Sequence, residues 1–149
     1  MFELDLILRG EQLDPASVST LLGVTPTRTR IRGERKVTGT GRPYETKVSV
    51  WRLKAEGATP GACVAALASR FGGRIPELSR LPGVEDAFLD LFVTFEPGRG
   101  EGDELRLEWE PAALEQLARF HLPLLITFAV VGAEDALLTE PPADESVLF

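Results

Sequence analysis

The sequence predicts an α+β fold, a mainly antiparallel sheet with three short helices in the order βαββαββαβ. Three observations predict it. Segments with an apolar residue at every second position alternate with short apolar stretches that begin at a proline and end near a glycine, and one glycine-rich turn joins two extended basic segments. Helices able to cover one face of such a sheet give a two-layer sandwich, either ferredoxin-like or built from two related βα units.

Each element follows from local chemistry, in chain order. FELDLILR places Phe2, Leu4, Leu6 and Leu8 on one side of a strand, because side chains of extended chain alternate between faces. In LDPASVSTLLG, Asp14 is an N-cap, Pro15 fills the first helical position where an N–H has no partner, and Gly23 can end the helix. Leu13 and Val18 are spaced to form a hydrophobic staple across that cap. RTRIRGERKV and TKVSVWRLKA then flank TGTGRP, whose glycines permit the positive φ of a hairpin connection.

The second helix opens at Thr59 and Pro60 and stops at Gly72 and Gly73; the third opens at Glu110 and Pro111. AFLDLFVTFE puts Ala87, Leu89, Leu91, Val93 and Phe95 on one strand face, and ELRLEWE alternates Leu105, Leu107 and Trp109 with charged residues as a one-sided strand. LPLLITFAVVGA, residues 122–133, is too short to cross a bilayer and reads as a buried strand. The expected core holds Leu4, Leu6, Leu21, Leu22, Trp51, Leu53 and Leu67, joined by Leu89, Leu91, Trp109, Leu114, Leu117 and Ile126.

With 149 residues and 44% hydrophobic content, the chain has enough apolar material for one domain, placed at 1–132. Residues 133–149 carry five acidic side chains, no basic ones and a Pro-Pro pair, and are expected to form a loose, mobile tail dispensable for folding. A lone Cys63 excludes an internal disulfide, and the absence of a leader pattern or long apolar run leads us to expect a cytoplasmic protein.

One set of positions forms a recognisable pattern: Gly10, Leu13 and Pro15, then Leu22, Gly23, Val24, Pro26 and Thr27, then Gly33 and Glu34, and a Trp-x-Leu strand at Trp51 and Leu53. In this the chain resembles an uncharacterised bacterial group, domain-of-unknown-function family 4279, from about residue 2 to residue 130. The closing segment departs from the group, with RFHLP where a glycine-containing turn is usual. The resemblance implies a small bacterial domain and brings no catalytic residues with it.

Catalytic chemistry finds little footing. His121 stands alone after a helix, where the dipole favours it, and cannot build a multi-histidine metal site. Cys63, in an alanine-rich helix, reads as a small buried hydrophobe. There is no nucleophile elbow or phosphate-binding loop, and GTGRPY and GRGEG read as turns, so no metal or cofactor is expected. Carboxylates are the abundant acid–base resource: Glu108 and Glu110 share a strand face, and Asp90 sits between Phe88 and Phe92. An enzyme built on them ranks third among the readings.

The charge map is uneven. Residues 28–54 hold nine basic and two acidic side chains, 9 − 2 = +7, so in a protein of net charge −7 the remainder carries −14. Arg28, Arg30 and Arg32, spaced by two, form a row on one face of a strand. The candidate binding residues are therefore Arg28, Arg30, Arg32, Arg35, Lys36, Arg42 and Trp51. Salt pairing with the chain's own carboxylates, or protection of a sheet edge, explains such a row without any ligand. A negative whole-molecule field disfavours nucleic acid. The leading reading is a non-enzymatic protein-interaction module of inhibitor or immunity type; the alternative is a binder of a small anionic or phosphorylated ligand.

Overall fold

All three helices begin where the sequence places a proline. The computed structural model describes residues 1–96 and 104–131. Strand β1 (Phe2–Gly10) leads into α1 (Pro15–Leu22), where the Asp14 carboxylate accepts the Ala16 N–H and Gly23 takes the left-handed conformation that ends the helix. Leu13 and Val18 are both buried, as a staple across that cap requires. Four strands follow: β2 (Arg28–Arg30), β3 (Arg35–Val37), β4 (Pro43–Glu45) and β5 (Ser49–Gly57). Then come α2 (Pro60–Ser69), capped by the Thr59 hydroxyl on the Ala62 N–H, strand β6 (Asp86–Phe95), α3 (Pro111–Ala118) and β7 (Leu124–Val130).

The main sheet runs β2-β5-β1-β6-β7, and β3 and β4 form a second, two-stranded sheet. β1 is antiparallel to both β5 and β6, and among the described residues only β6 and β7 pair in parallel, so the mainly antiparallel α+β class is correct. β5, α2 and β6 make a split βαβ unit with β1 inserted between its two strands, the crossover used by ferredoxin-like folds.

Period two sorts the two faces. Leu4, Leu6 and Leu8 line up with Ala55, Leu53 and Trp51 on β5 and with Leu91, Leu89 and Ala87 on β6. Together with Val18, Cys63, Val64, Leu67 and Phe120 they form one continuous buried cluster on the helix side. Each such leucine removed from water contributes about 1.5–3 kcal/mol. The opposite face buries only a small group, Ile7, Val50 and Phe88, among charged side chains.

Gly10 is where β1 meets the turn before β6: a Cβ there would collide with the Gly83 carbonyl oxygen, and Gly83 itself has φ +83°. Gly10→Ala is expected to cost about 1–3 kcal/mol by forcing these backbones apart. Urea denaturation checks this; an unchanged midpoint would show that the contact yields freely.

Four expectations need correction. ELRLEWE forms no strand: residues 104–110 belong to no ladder, although Leu107 and Trp109 do pack on the helix-side cluster. The extra elements lie instead in the basic segment, which splits into β2, β3, β4 and the start of β5. Leu21, Leu114 and Ile126 are exposed rather than core, whereas Leu22, Trp109 and Leu117 are half-buried at its margin. Residues 124–130 do form a strand, but an exposed edge strand rather than a buried one. The acidic tail and the GRGEG turn lie outside the described residues.

Candidate functional site

The basic segment folds as one long hairpin with a break in its middle. Arg28, Thr29 and Arg30 pair with Arg52, Trp51 and Val50, and Arg35, Lys36 and Val37 pair with Glu45, Tyr44 and Pro43, so both ladders keep the same register. The break is bridged by the Gly33 N–H on the Thr46 carbonyl and the Thr46 N–H on the Glu34 carbonyl, each at 2.9 Å, with Gly33 at φ +91°. At the tip the Thr38 N–H donates to the Arg42 carbonyl at 2.8 Å and Gly41 supplies a positive φ, as the TGTGRP sequence requires. Because Ser49 pairs with Gly10 at the end of β1, the β3–β4 ribbon continues beyond the end of that central strand.

The hairpin carries most of the candidate residues along its length, on more than one face. Arg28 is exposed at the sheet edge, while Arg30, on the same face, is only 3% exposed. Arg32 has left the ladder: its N–H donates to the Ser49 hydroxyl at 2.9 Å and its guanidinium lies 3.9 Å from Glu11. The row of three arginines is therefore a pair followed by a turn. Arg35 and Arg42 are exposed, and Lys36 is half-buried with its ammonium 3.9 Å from Glu34. Ile31 and Val37, exposed between these cations, are apolar positions that the sequence reading passed over.

Trp51 does not belong to this surface. It points into the helix-side core with no exposure, and its indole N–H donates to the Ser19 hydroxyl at 3.0 Å. Neighbours along β5 face opposite ways, so a strand that turns Arg52 toward the polar face must turn Trp51 away from it.

The polar sheet face holds a group that the sequence reading missed. Asp5 is 3% exposed, and its carboxylate receives the Arg52 guanidinium at 2.7 Å. Burial pushes its pKa above the ordinary value, and the Arg52 hydrogen bond and charge only partly offset that. Around it Arg9 binds Asp86 at 2.7 Å and lies over the Phe88 ring, and the Lys54 ammonium is 3.5 Å from Glu3. Asp90, half-buried between its phenylalanines, accepts the Thr127 hydroxyl at 2.9 Å. Glu108 and Glu110 are exposed and alternate with Leu107 and Trp109, which pack on the helix-side cluster.

Cys63 is wholly buried with its thiol directed at the Phe2 carbonyl, and burial raises its pKa. His121 is exposed just beyond α3 with φ 50°, a left-handed helix-end position. Among the described residues no three His, Cys, Asp or Glu side chains are grouped to hold a metal ion, and no helix is long and apolar enough to cross a membrane. A small hollow of about 110 Å³ between α2 and α3, lined by Ala65, Ala68, Ser69, Ile75, Gln116 and Arg119, lies away from the hairpin.

Fold and surface together define a two-layer α+β domain with helices on one sheet face, ion pairs on the other and a basic hairpin extending from one edge. The chain belongs to the family described as domain of unknown function (DUF4279), whose model matches residues 2–130, from β1 through β7. No curated protein and no solved structure matches it. Six of the twelve residues that carry the family pattern have evident structural parts. Gly10 makes the tight backbone contact, Leu13 and Pro15 set the start of α1, Gly23 ends it, and Trp51 and Leu53 fill the core.

Proposed function

We propose that this domain is a non-enzymatic protein-interaction module and that the β2–β4 hairpin is its contact surface. The observation that carries the reading is the interleaving of exposed Ile31 and Val37 with Arg28, Arg32, Arg35 and Arg42. Protein interfaces draw most of their binding energy from a few apolar or arginine anchors inside a polar rim, and this ribbon offers both. A small anion is served better by donors converging in a recess. Here Arg52, opposite Arg28, already holds Asp5 at 2.7 Å, and the ribbon cations are spread along its length. The partner surface is acidic with an apolar centre, complementary to the ribbon's cations, and an inhibitor or immunity role is one form of this reading.

The test replaces Ile31 and Val37 with serine and Arg32 and Arg35 with glutamine, leaving the buried Arg30 in place. Exposed side chains contribute little to folding, so stability should stay within about 1 kcal/mol. Capture of the protein that co-purifies with the wild-type chain should be lost, and wild-type capture should weaken as salt rises past about 0.15 M. Undiminished capture by the fourfold variant would refute the assignment.

A further inference from the structure

The opposite edge of the sheet is built quite differently. β2, the outer strand on the hairpin side, is three residues long and contains two arginines, which is how proteins discourage edge pairing. β7 is seven residues long, LLITFAV, with no charge, proline or glycine to blunt it. Leu125, Ile126, Phe128 and Val130 are 46%, 40%, 54% and 52% exposed.

Its hydrogen-bonding polarity is fixed by the contacts with β6. The Pro123 carbonyl accepts from Leu89 and the Val131 N–H donates to Phe95, so odd-numbered residues turn their backbone groups inward. In a parallel ladder the alternate residues, Leu124, Ile126, Phe128 and Val130, then direct N–H and C=O toward the free edge.

We propose that this edge pairs with the same edge of a second copy, antiparallel, about a two-fold axis at Thr127. That axis sets Ile126 against Phe128 of the second copy and Leu124 against its Val130. Both are hydrogen-bonded pairs that use the outward-facing backbone groups, with Thr127 opposite itself as a non-hydrogen-bonded pair. Every strongly exposed side chain of β7 then meets another apolar one, with Leu125 against Ala129 on the other face, and aliphatic–aromatic cross-strand pairs are among the stabilising ones. The strand is thus complementary to itself, which selects a second copy over an unrelated chain. The continuous sheet has the basic hairpin at both outer edges. Pairing along one edge buries less than the roughly 800 Å² per partner of a standard interface, and a net charge of −7 repels a like molecule. The dimer is therefore weak, dependent on concentration and strengthened by salt.

Sedimentation equilibrium of the full chain should show a monomer–dimer equilibrium over the micromolar to millimolar range, shifting to dimer as salt is raised. Phe128→Lys should be monomeric throughout with an unchanged melting temperature, since the side chain is already more than half exposed. Thr127→Cys should form a disulfide-linked dimer with oxidised glutathione, because non-hydrogen-bonded partners stand about 4.5 Å apart at Cα. Leu125→Cys should not, since it would face its own copy across about 13 Å. A full chain that stays monomeric at all concentrations, or cross-linking equally fast at 125 and 127, overturns the proposal.

Discussion

Arg52→Ala is expected to lower the unfolding free energy by about 3 kcal/mol at pH 7, because it leaves the Asp5 carboxylate charged and without its partner in a site with 3% exposure. The figure belongs at the low end of the range for broken buried pairs, since the Arg52 side chain retains 20% exposure. The pH dependence follows from the direction of the Asp5 shift. Its folded pKa is raised above the unfolded value, so the folded chain binds the proton more tightly. The stability this group supplies is full below the unfolded pKa and is lost as pH rises through the folded one. Removing Arg52 raises the folded pKa further, so the deficit against wild type should shrink between pH 7 and pH 4. Replacing both residues, Asp5→Leu with Arg52→Met, should recover stability to within about 1 kcal/mol of wild type, since apolar substitutes avoid the desolvation of two ions. Urea melts of the three proteins at the two pH values check this. A deficit that grows toward pH 4 would show that Asp5 is not the buried charge.

Trp51→Ala should cost about 3–5 kcal/mol, the range for emptying a large aromatic site in a close-packed core. Trp51 lies opposite both Leu8 and Thr29, is fully buried, and ties α1 to the sheet through Ser19. Trp51→Phe retains most of the packing and loses the indole hydrogen bond, so its cost should be nearer 1 kcal/mol. Thermal melts separate the two, and an alanine variant as stable as the phenylalanine one would refute the core assignment. If the hairpin binds a partner, Trp51→Phe should also leave capture intact, since this ring reaches no surface.

What could be read from the sequence was local. Asp14, Thr59 and the three prolines announce helix starts because a cap acts within one turn, and all three helices begin there. Alternation in FELDLILR and AFLDLFVTFE identified the faces of β1 and β6 for the same reason. Alternation in ELRLEWE was equally regular, but it reports only which side chains turn inward. Leu107 and Trp109 do turn inward, while a strand also needs a free edge to bind, and the two edges of the main sheet are β2 and β7. The depth of the second face was hidden because it depends on partners far away in sequence. Asp5 reads as an ordinary solvated position until Arg52, 47 residues on, is laid beside it. Arg30 in the same way looks like its neighbours Arg28 and Arg32, and only the pairing with Val50 places it below the surface. The hairpin itself was legible from its turn glycines and its charge.

The place of β1 between β5 and β6 makes the order of synthesis matter. Of the described strands β1 is made before the others yet is central in the sheet, and its two neighbours are residues 49–57 and 86–95, so Phe2 waits for Gly57 on one side and Val93 on the other. At roughly 5–20 residues per second, the interval between completing β1 and completing β6 is about 4 to 17 s. Until β5 is complete, Leu4, Leu6, Ile7 and Leu8 belong to a nascent chain with no partner strand, and from then until β6 is made only one side of β1 can be paired. Contacts this distant in sequence slow folding because loop closure precedes any gain from pairing. The family pattern from Gly10 to Leu53 is thus made before the strand that completes the core exists, and a truncated product ending before β6 would leave one whole side of its central strand open.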